Sequence, residues 1–340
     1  MIIIGGGIGG LSTAVALARA GVRSTVVDRA AVPAGGGIQI PANASAVLDD
    51  LGIELPGAVP LRARELRRWS DNTVLGRTPL HRHRAVRRAD LCRALTAACR
   101  SPIRTGQRCV EVTQDGSGVA VRLAGGTVLT DAAAVGADGL FSLVRATIAS
   151  TPVGYSGHAV YRTVLPVAPD TPEVVVWLGP GQHCVAYPID GGTATNLVLT
   201  VPSASPPGAL REVTPREVLA AYRDWHPAVR GLIARATRFD HHGLFERPPL
   251  PAWHRGRVVL VGDAAHPMLP FVAQGAAQAI EDAAALAAHV AEPDGFARYE
   301  AVRRPVAERM VALARAGATD YHLPDGPAQR RRDHDLAGGR

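Results

Sequence analysis

The hydrophobic positions change period several times along the chain. Residues 1–4 are apolar throughout, the pattern of a short buried strand, and glycines crowd positions 5–10. Residues 11–20 predict a helix stopped by Gly21, and 22–27 a second apolar strand ending at Asp28. Strand, helix and strand in that order imply a parallel sheet. Helices are also predicted over 43–51, closed by Gly52, and over 89–99. Between 110 and 137 short β-type runs are split by Asp115-Gly116 and Gly125-Gly126, which predicts a meander or hairpin. Strands follow over 158–165, 174–178, 183–188 and 195–200, with glycine and proline turns between them. Thr214-Pro215 opens a helix, residues 258–261 return as a buried strand, helices cover 275–291 and 296–318, and a polar tail follows Pro324. The expected organisation is α/β: a discontinuous nucleotide domain (1–66, 81–150, 253–340), interrupted by a strand at 67–80 and a β-rich insert at 151–252.

Composition narrows the function classes. At 340 residues, with 47% hydrophobic and 20% charged content, the chain is an ordinary folded protein. Only 4% of residues are aromatic, too few for a base-stacking surface. The net charge of +7 is almost all arginine, expected mostly on helices, with denser runs at Arg62 to Arg68, Arg77 to Arg88 and Arg330 to Arg332. A solvated arginine-rich surface plus a site for an anionic cofactor accounts for it without nucleic acid. Cys92, Cys99, Cys109 and Cys184 lack metal-ligand spacing and read as thiols in a reducing compartment; His81-Arg82-His83 and His241-His242 lack a matching ligand pair, so no metal is expected. The apolar start is too short for a signal peptide or a spanning helix, so a cytoplasmic protein off the membrane, monomer or homodimer, is expected.

Three motifs carry chemistry. Gly5-Gly6-Gly7-Ile8-Gly9-Gly10 is a GxGxxG between strand and helix: Gly5 allows the tight turn, Gly7 lets the backbone approach a pyrophosphate, and Gly10 lets helix pack on strand. Asp28, eighteen residues beyond Gly10, stands where a carboxylate accepts from a ribose. Gly136-Ala137-Asp138-Gly139, with Ser142 and Arg145, reads as a strand end, an acidic turn and a helix start. Gly262-Asp263-Ala264-Ala265-His266-Pro267 places a carboxylate at the C-terminal end of a parallel strand, and Gln274-Gly275-Ala276 opens a long helix whose free N–H groups can stabilise negative charge.

With GGGIGG and Asp28-Arg29, GADGLFSLVR and GDAAHPMLPFVAQGAAQAIEDA in that order, the chain resembles the group A flavoprotein monooxygenases of the para-hydroxybenzoate hydroxylase fold. GGGIQIPANASAVLDDLGI, RRADL and YHLPDGPAQRRRD look like its salicylate-hydroxylase-like branch. The resemblance spans nearly the whole chain and implies a Rossmann-like FAD-binding domain with an inserted mixed β-sheet substrate domain. It implies that Gly5, Gly7 and Gly10 hold the FAD pyrophosphate, Asp28 the adenosine ribose, and Asp263 the ribityl or pyrophosphate portion. Arg88 would contact FAD, Asp138 would lie in the segment linked to both FAD and NAD(P)H, and Gly275 and Ala276 would stand at the pyrimidine end. Ile8, Gly9, Arg29, Gln39, Val110, Gly139, Gly262 and Pro270 complete the expected cofactor contacts. The turn from Pro267 to Pro270 would lie beside the reactive flavin edge. NAD(P)H would bind transiently, since no second Rossmann unit is visible. Ala277 stands where asparagine is usual, removing a polar group expected near the flavin. Phe271 stands where salicylate hydroxylases carry histidine, which weakens the case for salicylate and leaves the reaction class intact.

The family chemistry is insertion of one oxygen of O2 into an electron-rich ring through a flavin C4a-hydroperoxide, which needs a dry pocket and no side-chain nucleophile. The β-rich insert should supply the pocket floor. Period-2 alternation puts His158, Val160 and Arg162 on one face of their strand and His183, Val185 and Tyr187 on one face of theirs. Arg162 is expected to pair with a substrate carboxylate or to lie near the flavin, and Tyr187 or a histidine to help deprotonate a phenol; each also reads as a polar tip on a solvated sheet face. Trp177 is expected to pack. Epoxidation, Baeyer–Villiger oxidation of a natural-product intermediate, and flavin binding without turnover stay open as alternatives.

Overall fold

Ile2–Ile4 is an interior strand of a parallel sheet, paired along both edges: Ala134–Gly136 on one side and Thr25–Val27 on the other. The computed structural model describes residues 1–30, 35–208 and 210–338. Val258–Leu260, with the antiparallel His254–Arg255 beyond it, and Ile103–Arg104 extend this sheet to six strands. The helix Ile8–Arg19 leaves its glycine turn directly and packs Ile8, Leu11 and Val15 against Ala277 and Ile280 of the helix Gly275–His289. The strands 109–114, 119–123 and 128–131 form the expected antiparallel meander.

The second sheet has nine strands, in the order Arg211–Val213, Phe239–Glu246, Gly154–Leu165, Ala194–Pro202, Gln182–Ile189, Val174–Gly179, Val59–Arg68, Val74–Arg87, Gly37–Ile40. Alternation divides its two faces. Ala159, Trp177, Cys184, Leu197 and Leu199 pack against Tyr222, Trp225 and Ile233 beside the helices Pro215–Ala221 and Pro227–Ala234. The first of these helices is capped by Thr214 with Glu217 in a reciprocal capping box. Arg162, Val185, Tyr187 and Val198 take the opposite face and line a cavity between the sheets.

Several elements differ from the sequence reading. Residues 59–87 form a long antiparallel hairpin, wider than the single strand at 67–80, and its arginines lie on strands rather than helices. The strand after Gly21 is only Thr25–Val27. Beyond Pro324 the polar segment contains the helix Pro327–Leu336, held by tertiary contacts: Arg68 Nε donates to Asp333 at 3.1 Å, Trp69 Nε1 to Asp325 at 3.3 Å, and Leu336 packs against the sheet.

Candidate active site

A cavity of about 1010 Å³ runs from the glycine turn, under the helix Gly275–His289, to the inner face of the nine-stranded sheet. At its first end Gly5 has φ +111°, and a Cβ there would lie 2.2 Å from the Ala137 carbonyl oxygen; one on Gly10 would lie 1.8 Å from that of Gly5. Gly7 differs: nothing stands within 4 Å of the place its Cβ would take, so the backbone is bare toward the cavity. Asp28 closes this end, accepting from the backbone N–H groups of Gly6 and, at 2.7 Å, Ala30.

The other two motifs are tied together by Arg145, which is completely buried. Its guanidinium donates to the carbonyls of Ala264 (3.0 Å), Ala265 (2.8 Å) and Pro248 (2.6 Å) and to Thr151 Oγ1 (2.9 Å), and burial followed by the Arg247 charge lowers its pKa to about 10. Asp138 accepts from Ser142 Oγ and from the N–H groups of Leu143 (2.7 Å) and Val144 (3.1 Å), while burial raises its pKa against these bonds. Asp282 accepts from Gly262 N at 2.8 Å, His266 Nε2 at 2.6 Å and Arg303 Nε at 2.9 Å, which fixes the turn that carries Asp263. Asp263 itself has no hydrogen-bond partner among the described residues. Its carboxylate is open, but open into the cavity and hemmed in by protein, so burial raises its pKa, with His266 and Arg88 opposing.

These features fit FAD. A bare glycine backbone suits a pyrophosphate, an unpartnered carboxylate suits cofactor hydroxyls, and the helix Gly275–His289 starts at Gln274 with no side-chain cap, leaving N–H groups free for a charge-bearing ring edge. Gly5, Gly7, Ile8, Gly9, Asp28, Arg29, Gln39, Arg88, Asp138, Gly139, Gly262, Asp263, Pro270, Gly275 and Ala276 all line the cavity, as do Arg162 and Tyr187. Three expected site residues do not. Gly10 lies against the Gly5 carbonyl, Pro267 is buried behind its turn, and Val110 points outward while its neighbour Cys109 lines the wall. Ala277 is also away from the cavity, in the core between helices, so the missing asparagine removes no group from the cavity wall. Trp177 packs, with Nε1 donating to Asn72 at 2.7 Å.

Electrostatically the cavity is an anion site. Arg29, Arg64, Arg88, Arg108 and Arg162 line it and form no ion pair among the described residues. Burial lowers the Arg162 pKa and, with the Arg162 charge, lowers His242 to about 4; burial and Arg64 do the same to His83. Tyr187 is raised by burial, so at neutral pH it is a hydrogen-bond donor and not a base. Sequence reasoning missed Arg64, Asn196 and the company of His183. Asn196 Oδ1 accepts from Gly37 N at 2.6 Å, and its buried Nδ2 has no partner.

A family profile described as "FAD binding domain" matches residues 1–314. The chain belongs to this family and is a group A FAD-dependent aromatic hydroxylase, with FAD as cofactor and NAD(P)H as the family's usual reductant. 3-Amino-4-hydroxybenzoate 2-monooxygenase PtmB3 of Streptomyces platensis is 38% identical over 98% of this chain and 91% of that protein. 3-Hydroxybenzoate 6-hydroxylase 1 of Aquipseudomonas alcaligenes is 36% identical over 100% of this chain and 93% of that protein. Klebsiella pneumoniae HpxO, solved with FAD and uric acid, shares the fold with a TM-score of 0.89 at 24% identity, covering 99% of this chain and 92% of that one. No helix among the described residues is long and apolar enough to cross a membrane.

Proposed function

We propose that the cavity takes a benzoate bearing a phenolic hydroxyl or amino group and hydroxylates its ring with O2, acting as a monomer or homodimer in the cytoplasm. The observation that carries this reading is Arg162: a guanidinium facing the cavity from the sheet, with its buried Nε unpartnered and no carboxylate paired to it among the described residues. A substrate carboxylate satisfies that fork with two parallel hydrogen bonds. The two relatives at 38% and 36% identity are named for aminohydroxybenzoate and hydroxybenzoate oxidation, and both names describe a ring with a carboxylate and a phenol.

FAD, which Gly7, Asp28, Asp263 and the helix start at Gly275 would hold, would take electrons from NAD(P)H and with O2 supply the electrophilic oxygen. The chain's part is to orient and to keep water out. Arg162 anchors the carboxylate, Tyr187 donates to a ring substituent, and the turn through Pro267 and Pro270 sets Phe271 against the pocket wall, so the ring is held between the turn and the sheet. NAD(P)H oxidation in air, read together with product mass across benzoates and their neutral analogues, tests the reading. Arg162→Lys should raise KM for acidic substrates by roughly 10-fold or more, an ion-pair hydrogen bond being worth about 1.5–3 kcal/mol, with flavin content unchanged. Equal losses for neutral analogues would assign Arg162 to the flavin or the fold, and a ketone oxidised in preference to a phenol would overturn the substrate class.

A further inference from the structure

A second cavity, of about 330 Å³, lies on the other face of the nine-stranded sheet. Strand alternation sets the two cavities back to back: Val174, Val176, Val185 and Tyr187 line the first, while Val175, Trp177 and Ala186, alternating with them, floor the second. The indole is held in place, its Nε1 donating to Asn72 at 2.7 Å. Over this floor the helix Pro227–Ala234 turns Ala228, Gly231 and Leu232, with Arg235 just past its end, an i, i+3, i+4, i+7 face. Gly231 is the informative member. A glycine inside a helix weakens it relative to alanine, and here a Cβ would meet nothing within 4 Å, so packing does not demand the glycine and its effect is to keep the cavity open. Two charges at the rim are uncommitted. Arg67 and Glu173 are engaged by Glu65 and Arg77, but Arg235 and Asp170 are exposed and neither forms an ion pair among the described residues.

We propose that this cavity is a second small-molecule site, for an aromatic acid that also carries an amino or hydroxyl group. The indole and the aliphatic side chains of Val175, Ala186 and Leu232 suit a flat ring. Arg235 suits the carboxylate, through paired N–H donors, and Asp170 suits the ring's amino or hydroxyl donor. Ligand cavities span about 300–1,000 Å³, and this one stands at the small end of that range, enough for one substituted ring. The class is argued from this cavity's own lining and does not rest on Arg162. It is nevertheless the chemistry proposed for the active site, so a substrate or product molecule bound here would lie one sheet's thickness from the first cavity, against the reverse face of the same strands.

The test titrates the FAD-loaded protein with 4-aminobenzoate in the absence of NAD(P)H, so that nothing turns over. Calorimetry counts every site, whereas changes in flavin absorbance count only sites beside the flavin. Calorimetry should find one more site per chain than the flavin signal does. Gly231→Leu fills the second cavity and favours its helix, so the extra site should vanish while melting temperature and FAD content hold or rise. Arg235→Gln, an exposed change that spares the fold, should weaken the extra site roughly 5-fold for 4-aminobenzoate and leave 4-aminobenzamide, which has no charge to lose, unaffected. Equal counts by the two methods in the wild-type protein, or an extra site that survives Gly231→Leu, overturn the proposal. A loss in Arg235→Gln that the amide shares overturns the carboxylate class. The Arg162 reading fails separately, when the flavin signal reports the same affinity for acid and amide.

Discussion

Asp263 brings a carboxylate into the cavity with no partner among the described residues, a cost to the apoprotein that a cofactor hydroxyl would offset. Because burial raises its folded-state pKa, its stabilising share is complete below the ordinary carboxylate value and is lost as pH rises through the raised one. Asp263→Asn, neutral throughout, should therefore melt above wild type as apoprotein at pH 7, the gap closing toward about pH 4. Asp263→Ala should lose FAD affinity by roughly 10- to 100-fold in a flavin-fluorescence titration, the worth of a charge-assisted hydrogen bond of about 1.5–3 kcal/mol. An apoprotein gap that widens on acidification, or undiminished affinity in the alanine variant, would contradict this account. Asp263 was legible in the sequence because strand, turn and carboxylate are contiguous. His322 was not: it meets His183 across 139 positions, and no local period records such a contact.

At the scale of elements, the glycine turn separates two requirements that one motif combines. A Cβ on Gly10 would press into the Gly5 carbonyl, whereas one on Gly7 would meet nothing, and the Gly7 backbone (φ −77°, ψ −171°) is open to any residue. Gly10→Ala should destabilise the fold by about 1–3 kcal/mol or more through overpacking. Gly7→Ala should leave the apoprotein melting temperature unchanged or slightly higher, since alanine lowers unfolded-state entropy, yet weaken FAD binding by filling the approach to the pyrophosphate. Calorimetry and flavin titration of the two variants separate these effects; similar stability losses in both would mean the turn serves only packing. The hairpin at 59–87 was legible in retrospect, because Val59, Leu61 and Ala63 are buried in alternation with exposed Pro60 and Arg62. The arginine-rich composition hid that period. The helix Pro327–Leu336 has no comparable local signal, its stability coming from Arg68, Trp69 and the sheet edge.

For the whole molecule, the cavity is the meeting place of two sheets with separate hydrophobic cores, and its walls carry arginines that repel one another in the apoprotein. The parallel sheet was legible from the motifs at its strand ends; the partnership of the two sheets was not, since it depends on contacts far apart in sequence. FAD would bridge the cavity, one end against Gly7 and Asp28 and the other against Asp263 and Gly275, each on a different segment. A ligand bound only by the folded state stabilises it by RT ln(1 + [L]/Kd), about 2.7 kcal/mol at a hundredfold excess over Kd. The melting temperature should accordingly climb with the logarithm of free FAD. ADP and riboflavin, each reaching one end, should give smaller shifts, and an equimolar mixture of the two should fall short of FAD, because linking the halves spares one the entropy of separate association. Scanning calorimetry with the four ligand conditions is the measurement. A melting temperature indifferent to FAD would remove the cofactor site from this cavity, and a riboflavin shift equal to that of FAD would show that the glycine turn and Asp28 contribute nothing to holding it.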